Sequence, residues 1–527
     1  MIGPLWRSAR LLLCLPLLAL SGLLEASEPI TCTVCAGDQV RTAQPFNATR
    51  DESGFYRLDQ TGAASLAIVR FRFREDDGDP GQVDVDALHE QWEHSSYGRR
   101  RFTVTQSPLI ELPHSRQEYN DQEAGEYYGV TLRRILQEDH DLDLDAFDYY
   151  MLVACRGRPF ITINGGQAEL TGPASLITAA GNDYVVAHEL GHCHGAQHAT
   201  LWQPDDRSAI IGTGTDEEYG NDHDIMAQGR RDFGAAIKWY FNWLHNEEVH
   251  IVDSSGRYAI RAHDLGAVVA GERYGILVSQ EALPFGTQVR GYYFFEFRQD
   301  ATTDHANNGL LGIVHRDSQW NTRTALLDMT PESGESWKDA TLLVGRTFSD
   351  AAAGIHVTPV SLTGSGAEAQ IQVQVNLGDF PENADPTAQI LADAQVPVGL
   401  PLSLECAAQD ADGDELAYAW EFGDDHLSSR SEARISHAWD MEGEQSIRCF
   451  VSDMKGGTVT VETTVTVVAA DGLGRQLRIG QDGDPGLEPL LESNSGSVVP
   501  ADGGLWSILG LDRAVDTRVG FAPVDDG

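Results

Sequence analysis

The sequence predicts an α/β (α+β) domain, then an all-β domain, a small C-terminal β-sandwich and a short β-rich tail. Three observations lead to this prediction. Strands alternate with helices in the first half of the chain, short alternating strands dominate residues 249–376, and residues 388–468 alternate between apolar and polar side chains around acidic turns. At 527 residues, the chain has room for about three to four domains.

The composition is that of a globular protein with a large acidic excess. Hydrophobic residues make up 41% of the chain, and 80 Asp and Glu against 37 Lys and Arg give a formal charge of −43. The hydrophobic content excludes wholesale disorder and a polytopic membrane protein. A surface this acidic repels phosphate groups, so we expect no nucleic-acid partner.

The first 27 residues have the pattern of a secretory signal peptide. Arg7 and Arg10 precede an apolar run of about 14 residues, and small residues follow near Ala26. This run is shorter than the roughly 20 residues that a membrane-spanning helix needs. We therefore expect a secreted, extracellular protein with no membrane span after the signal is removed.

The α/β domain is predicted at residues 63–248, after an irregular polar segment at 28–62. Period-two runs of apolar residues indicate its strands, and apolar residues at helical spacing indicate its helices. The predicted order is strand Ser65–Phe73, helix Val85–His94, strand Arg101–Leu112, helix Val130–Leu136, buried strand Phe147–Ala154, a segment Ile161–Ile177 that includes an edge strand, and a helix from Asp183.

Strand patterns dominate the rest of the chain. The all-β domain at 249–376 includes the alternating run Tyr292–Arg298. A linker rich in Pro, Asp and Asn follows at 377–387, and the predicted sandwich occupies 388–468. The tail, 469–527, is rich in Gly and Asp and has only weak strand signals.

The strongest chemical signal is the run HELGHCHGAQH at residues 188–198. His188 and His192 are four residues apart, so a helix projects both imidazoles from one face, where they can bind one zinc ion. Glu189 follows His188 directly. Its carboxylate is placed beside such an ion, where it can take a proton from water but is badly angled to be a ligand.

Gly195 and His198 extend this motif. Without a Cβ, Gly195 can adopt a positive φ, end the helix and turn the chain back. That return brings His198 round as a third ligand and leaves one position open, as in catalytic rather than structural zinc sites. The extended pattern HExxHxxGxxH is far more specific than HExxH alone. The sequence therefore predicts one catalytic Zn²⁺ bound by His188, His192 and His198.

The extended motif resembles the signature of the metzincin zinc peptidases. This resemblance implies a methionine turn beneath the metal, and Met226 in the run EYGNDHDIMAQG is the matching residue. That run, KWYFNWL at 238–244 and LLDMTP at 326–331 are similar to the gametolysin-like branch, and the similarity covers about residues 60–375. It implies a metzincin-like catalytic domain, completed by the all-β domain, that acts as an endopeptidase.

Several residues near the motif have no assigned role. His194 and His223 are further candidate ligands, but the set of three is already complete, which favours a supporting or solvated position for both. Gln228 stands where some metzincins have a tyrosine ligand, so the transition-state donor is unassigned. We expect Cys32 and Cys35 to form a local disulfide or pair elsewhere, and zinc ligation in a latent form is the less favoured alternative.

The predicted sandwich carries its own family resemblance. It contains the run WEFGDD, beginning with Trp420, which resembles the WDFGDG of PKD (polycystic kidney disease) domains. Such Ig-like modules space other domains or bind an extracellular polymer or surface. Asp410, Asp412 and Asp414 resemble a Ca²⁺ loop, but no Glu stands where an EF-hand requires one, which favours an ordinary acidic turn over a Ca²⁺ site.

The cysteines outside the N-terminal segment suggest two pairings. Cys406 and Cys449 lie on candidate strands of opposite sheets of the sandwich, and we predict a disulfide between them. Cys155 would pair with Cys193 if the strand before Cys155 packs on the zinc helix.

Together, these features predict a secreted zinc-dependent endopeptidase that hydrolyses peptide bonds of extracellular proteins. Zinc activates a water molecule and Glu189 acts as the general base. An extended protein or peptide substrate would align along the edge strand within 161–177. The alternative is an exported cell-surface binding or adhesion protein with a vestigial zinc domain. A third reading is a zinc hydrolase that acts on another amide or ester.

Overall fold

Most of the regular structure in this computed structural model is β-strand, arranged in three units that follow one another along the chain. The predicted signal peptide, with Cys32 and Cys35, lies outside the described residues. The structure describes residues 49–50, 54–122, 128–140, 142–157, 161, 165–229, 232–280, 291–301, 303–316, 323–334, 336–469, 479–481, 506–508 and 514–515.

The first unit is an α/β arrangement. Its strands are β1 Thr49–Arg50, β2 Tyr56–Arg57, β3 Gly62–Arg72, β4 Arg100–Gln106, β5 Ile110–Glu111, β6 Tyr149–Ala154, β7 Gly166–Ala168 and β8 Ala174–Ile177, and its helices are α1 Val85–Ser95, α2 Arg116–Gln122, α3 Tyr128–His140 and α4 Asp183–Cys193. The main sheet has the order β4-β3-β6-β8-β7, with β5 beside β3. All of its strands are parallel except β7, which runs antiparallel to β8 at the edge.

The interior strand β3 is buried on both faces. Leu66 and Ile68 pack in the core that includes residues of α1 and α4. Ala67, Val69 and Phe71 point the other way, into the core that includes residues of α3. Parallel strands need this cover on two sides, because the crossover helices pack on both faces of the sheet.

The predicted elements of this unit are present with shifted bounds. The predicted strand at 101–112 is interrupted between β4 and β5, where Pro108 has no N–H to donate to a strand neighbour. The predicted edge strand within 161–177 is a hairpin in which β7 is the outer strand. The helix predicted from Asp183 is α4, whose residues 185–193 are all buried.

The second unit packs two sheets face to face. Its strands are β9 Thr200–Pro204, β10 Gly214–Glu218, β11 His250–Val252, β12 Gly256–Arg261, β13 Gly275–Gln280, β14 Gly291–Glu296, β15 Gly309–Arg316, β16 Thr324–Leu326, β17 Leu342–Leu343, β18 Phe348–Asp350, β19 Ile355–Thr363 and β20 Gln370–Leu377, with helices α5 Ala235–Tyr240 and α6 Asp304–Asn307. One sheet has the order β10-β9-β16-β15-β14-β13-β11 with β17 on β15, and the other has the order β12-β20-β19-β18. Residues of both sheets share one core.

Strand pairing joins the first two units. β9 and β10 lie within the segment predicted as the α/β domain, yet they belong to the sheet of the second unit, where β9 pairs with β16. This pairing places the chain that leaves the HELGH helix directly against the second unit.

A buried ion pair lies where these two units meet. Lys238 in α5 is fully buried and its Nζ donates to the carboxylate of Asp232. The same ammonium donates to the carbonyl of His263 at 3.2 Å and lies 4.6 Å from the ring centre of Tyr97. Removing two charges from water costs free energy, and only their mutual attraction offsets that cost in the interior.

The third unit is a β-sandwich. Its strands are β21 Thr387–Leu391, β22 Gln395–Pro397, β23 Leu402–Gln409, β24 Ala417–Glu421, β25 Arg434–His437, β26 Gly443–Ser452 and β27 Thr458–Val468. One sheet has the order β21-β23-β25 and the other β22-β27-β26-β24. Trp420 and Trp439 are buried between them. In the tail, the described strands β28 Ile479–Gln481, β29 Trp506–Ile508 and β30 Ala514–Val515 form a small sheet.

The structure corrects both predicted disulfides. Cys406 on β23 and Cys449 on β26 do lie on opposite sheets and are both buried, but both are free thiols. Cys155 and Cys193 are also free. The Cys155 thiol lies beside Gly78, whereas the Cys193 thiol donates to the carbonyl of Ala174 at 3.5 Å, so the two thiols have different neighbours.

The acidic turn of the sandwich uses its carboxylates internally. Asp410 Oδ1 accepts hydrogen bonds from the backbone N–H groups of Asp412 and Asp414, at 2.8 and 3.1 Å. The Asp414 carboxylate pairs with Lys455. This is the geometry of an ordinary acidic turn, and the Ca²⁺ alternative stays an untested prediction.

Every helix within the described residues falls short of the length and hydropathy that a bilayer crossing needs.

We predict that removing one charge of the Lys238–Asp232 pair destabilises the fold more than removing both. Asp232→Asn leaves a buried ammonium without its counter-charge and should lower the free energy of unfolding by about 3–5 kcal/mol. Denaturant unfolding followed by tryptophan fluorescence measures this, since Trp239 and Trp243 are buried close by.

The double variant Asp232→Asn/Lys238→Met removes both charges and serves as the control. It should recover most of the lost stability. Equal loss in the single and double variants would contradict the prediction, because it would show that the charge on Lys238 is not the cause.

Candidate metal centre

Helix α4 supplies two of the predicted ligands. The rings of His188 and His192 lie on the same side of the helix, with their centres 4.8 Å apart. Both side chains are buried, at 2% and 1% exposure. Since α4 is enclosed by apolar residues along most of its length, these imidazoles have no solvent to hydrate them.

The turn after α4 brings the third histidine to the other two. Gly195 has φ of 105°, a left-handed conformation that side chains with a Cβ rarely adopt. Its N–H donates to the carbonyl of His192, and the chain then reverses. One ring nitrogen from each of His188, His192 and His198 lies within 4.8 Å of the other two.

Each histidine has an acceptor on its Nδ1 side. His188 Nδ1 is 2.8 Å from the carbonyl of Ile225 and His192 Nδ1 is 2.7 Å from the carbonyl of Ala196. His198 Nδ1 is 2.6 Å from the carboxylate of Glu218. An acceptor at Nδ1 places the proton there, so the lone pair of every ring is at Nε2.

The three Nε2 atoms fit one shared cation. His192 Nε2 and His198 Nε2 are 3.1 Å apart, close to the roughly 3.3 Å expected for two nitrogens on one tetrahedral Zn²⁺. His188 Nε2 is buried and has no hydrogen-bond partner among the described residues. Burial lowers the pKa of His188 to about 3, with a further contribution from His198, so this imidazole is neutral near pH 7. Neutral, convergent imidazoles are a donor set that Zn²⁺ prefers.

Glu189 lies next to the first ligand and against the edge strand. Its side chain is 1% exposed. A Cβ at Gly166 in β7 would lie 2.3 Å from Glu189 Cγ, so only a glycine lets the outer strand approach the carboxylate this closely. The structure thus places the free edge of the sheet beside the predicted general base.

Met226 lies beneath the same helix. It is fully buried, and a Cβ at Gly191 would be 2.6 Å from its sulfur. The residue before it, Ile225, provides the carbonyl that accepts from His188. The loop around Met226 therefore supports the helix from below and orients one of its histidines.

The second unit holds this loop in place. The Asp224 carboxylate accepts from the backbone N–H groups of Met226 and Gly234, each at 2.8 Å. Arg298, just after β14, donates to the carbonyl of His223 at 2.7 Å and pairs with Glu296 at 2.7 Å. The all-β unit therefore contacts the candidate centre through buried hydrogen bonds.

The two extra histidines are buried and point elsewhere. His194 stacks on Tyr149, with ring centres 4.6 Å apart, and its Nε2 accepts from the Arg100 guanidinium at 3.1 Å. His223 Nε2 is 3.0 Å from the carbonyl of Trp337. Neither belongs to the group of three histidines, and the solvated alternative is wrong for both because each is at most 4% exposed.

Sequence analysis missed two residues of the site, Glu218 and Tyr219. The Glu218 carboxylate accepts from His198, and this contact lowers the pKa of Glu218. The Tyr219 hydroxyl is 2.9 Å from His198 Nε2, and its backbone φ of 61° is rare for an aromatic residue. Glu218 is the last residue of β10 and Tyr219 follows it. The pairing of β10 with β9 brings both residues back to His198, and no spacing pattern in the sequence identifies them.

Comparisons with known proteins concern the third unit. A profile of the PKD domain matches residues 383–468, so this segment is a PKD domain, and the resemblance stated for it is confirmed. Collagenase ColA of Clostridium perfringens is 33% identical over 91 residues, which cover 17% of this chain and 8% of that protein.

Two solved PKD domains show the same likeness. The PKD1 domain of Vibrio anguillarum Epp is 32% identical and covers 17% of this chain and 99% of its own, with a TM-score of 0.15. The PKD1 domain of the Vibrio cholerae metalloprotease PrtV is 27% identical and covers 16% of this chain and 98% of its own, with a TM-score of 0.14. The chain spans less than a tenth of the curated collagenase, so the case for the metal centre depends on its own geometry.

We predict that Glu218 strengthens metal binding through His198. Glu218→Gln removes the carboxylate that fixes the Nδ1 proton and should weaken zinc affinity by about 10- to 100-fold. Competition with a chromophoric chelator measures this. Glu217→Gln, the same change at the exposed neighbouring position, is the matched control and should bind zinc like the wild type. Unchanged affinity in Glu218→Gln would show that the contact has no such role.

We also predict that His194 makes the protein sensitive to acid. Burial, with a smaller effect of Arg100, holds the pKa of His194 well below its ordinary 6.5. The unfolded chain takes up this proton below pH 6.5 while the folded chain does not, so stability falls as the pH drops below 6.5.

In His194→Gln, the free energy of unfolding should depend less steeply on pH below that point, by up to about 1.4 kcal/mol per pH unit. Denaturant melts at several pH values give the slope. His114→Gln, at a half-buried histidine whose side chain is 44% exposed, is the control. Identical slopes in wild type and His194→Gln would refute the assignment.

Proposed function

We propose that this chain is a secreted zinc-dependent endopeptidase of metzincin type, in which His188, His192 and His198 bind the metal. The observation that carries the proposal is the direction of the three imidazoles. Their Nδ1 atoms face fixed acceptors and their Nε2 atoms face one another. Bound there, Zn²⁺ would supply a Lewis acid that polarises the scissile carbonyl and acidifies water.

The chain's own residues perform the proton transfers in this proposal. Glu189 accepts the proton of the attacking water and passes it to the leaving amine nitrogen. The Tyr219 hydroxyl, at the edge of the cluster, is a donor for the negative charge that develops on the carbonyl oxygen. In this proposal it is the transition-state donor, a role to which the sequence assigned no residue.

The free edge of β7 gives this proposal its substrate class. An extended peptide that adds to β7 would lie next to Glu189, because Gly166 brings that strand into contact with the carboxylate. Backbone hydrogen bonds along an edge strand are available to internal segments of a chain, which favours endopeptidase action. Proteins and peptides are therefore the proposed substrates.

Matches of the PKD domain to peptidases are compatible with a protease-associated extracellular protein. We propose that the PKD domain contacts an extracellular polymer or surface and places the catalytic unit near its substrate.

One observation is also compatible with the alternative, an exported binding protein with a vestigial zinc domain. The four side chains of the centre are each at most 2% exposed. Such enclosure suits a metal that supports the fold as well as one that meets a substrate. Activity measurements therefore have to separate the two.

We predict that Glu189→Gln keeps zinc and loses hydrolysis. The amide matches the carboxylate in shape but cannot take the proton, so turnover of denatured casein should fall by at least about 100-fold. Metal content by mass spectrometry should stay at the wild-type value, and Glu217→Gln should retain full activity.

Three outcomes would count against the proposal. Full turnover in Glu189→Gln would remove the assigned base. Wild-type protein that carries zinc but hydrolyses no peptide, with or without chelator, would support the vestigial domain. Cleavage of esters or small amides without cleavage of proteins would support the third reading.

A further inference from the structure

A second group of metal-ligating side chains lies in the PKD domain, far along the chain from the histidines of α4. It consists of Asp424 and His426, which follow β24, and His437, the last residue of β25. Their ligand atoms all lie within 4.8 Å of one another. Asp424 Oδ2 is 2.7 Å from His437 Nε2 and 3.3 Å from His426 Nδ1.

The side chain of His437 is held rigidly. The His437 ring stacks on Phe422 at 4.1 Å with an angle of 9° and meets the edge of Trp439 at 4.7 Å. Trp439 Nε1 in turn donates to the carbonyl of Phe422 at 2.9 Å. The imidazole therefore has one orientation, with Nε2 directed at Asp424. Preorganised ligands lose little entropy when they bind a metal.

The backbone between Asp424 and His426 is built for this arrangement. Asp425 has φ of 62°, in the left-handed region that favours glycine. This conformation turns the chain within one residue, so that Asp424 and His426 both reach toward His437. Non-glycine residues in this region store strain, which is found more often at binding and active sites than elsewhere.

Open space lies next to the group. A cavity of about 510 Å³ is lined by His426, His437, Phe422 and Arg430, among others. The side chain of His426 is 66% exposed, while those of His437 and Asp424 are 12% and 17% exposed. A metal bound here would have protein ligands on one side and water on the other.

We propose that Asp424, His426 and His437 form a binding site for a divalent transition-metal ion of the zinc type. Two imidazoles and one carboxylate match the preference of Zn²⁺, whereas Ca²⁺ takes mainly oxygen ligands. Three protein ligands leave the remaining position to water. This site does not depend on the proposed peptidase function, since none of its residues lies in the first two units.

The position of the loop suggests what the metal does. Residues just beyond His426 contact the second unit: the N–H of Leu362 donates to the carbonyl of Ser429 at 2.8 Å, and the N–H of Ser431 donates to the carbonyl of Val360 at 3.1 Å. A metal that ties Asp424 and His426 to His437 fixes the start of this loop, and so stabilises the contact between the PKD domain and β19.

The test uses the full chain and Zn²⁺ alone as the probe. Equilibrium dialysis followed by elemental mass spectrometry counts the ions bound to wild type, His426→Ala, Asp424→Asn and His188→Ala. We expect His426→Ala and Asp424→Asn each to lose one Zn²⁺ or to bind it at least about 10-fold more weakly, with the α4 site unchanged. His188→Ala should lose the other ion and keep this one.

His426→Ala is the decisive variant, because its exposed ring is not part of the core, whereas His437→Ala removes a stacked ring and would disturb folding. His114→Ala is the control for a surface histidine. Equal Zn²⁺ content and affinity in wild type and His426→Ala would overturn the proposal, and so would binding of Ca²⁺ but not Zn²⁺. Either result leaves the peptidase proposal as it was, because that proposal is judged by the turnover of Glu189→Gln and of the wild type with and without chelator.

Discussion

The three imidazoles of α4 and the turn after it are oriented by the groups that their Nδ1 atoms contact. A histidine ring can present either nitrogen, and its tautomer follows the hydrogen bond that it makes. Here two backbone carbonyls and one carboxylate accept hydrogen bonds from the Nδ1–H groups, which leaves the three Nε2 lone pairs facing inward. A set of lone pairs at this spacing repels unless a cation or proton lies between them. A cation shared by the three rings would relieve that repulsion, as the proposed Zn²⁺ would do.

The acceptors come from different parts of the fold, which explains why the site requires more than one helix. Ile225 belongs to the loop around Met226, and Glu218 belongs to a strand of the second unit's sheet. Arg298 and Glu296 hold the chain on either side of Met226 from that unit. The α/β unit presents the ligands, and the all-β unit holds the groups that orient them. Neither unit has the complete set of contacts.

Burial and charge act together throughout this interior. Burial lowers the pKa values of His188 and His192, because a charged imidazole is disfavoured without water. The charges of Lys238 and Asp232 persist in the interior because each is paired with the other. The PKD domain shows a different balance. Its Asp424, His426 and His437 lie at the edge of an apolar core, where Asp424 is paired with His437 and His426 is largely exposed to solvent.

Short-range features of the sequence were enough to place α4, the turn at Gly195, the strand β3 and the PKD domain, but not the burial of β3 on both of its faces. Each of these depends on periodicity or on the chemistry of a few adjacent residues, which the chain carries whatever its tertiary structure. Cys406 and Cys449 show the limit of that reasoning: their strands were placed on facing sheets, but no pattern shows whether two facing thiols are bonded. Glu218, Tyr219 and the pairing of β9 with β16 were out of reach for another reason. The pairing of β10 with β9 brings Glu218 and Tyr219 to His198, and the pairing of β9 with β16 joins strands far apart in the chain. Neither pairing has a local signature in the sequence.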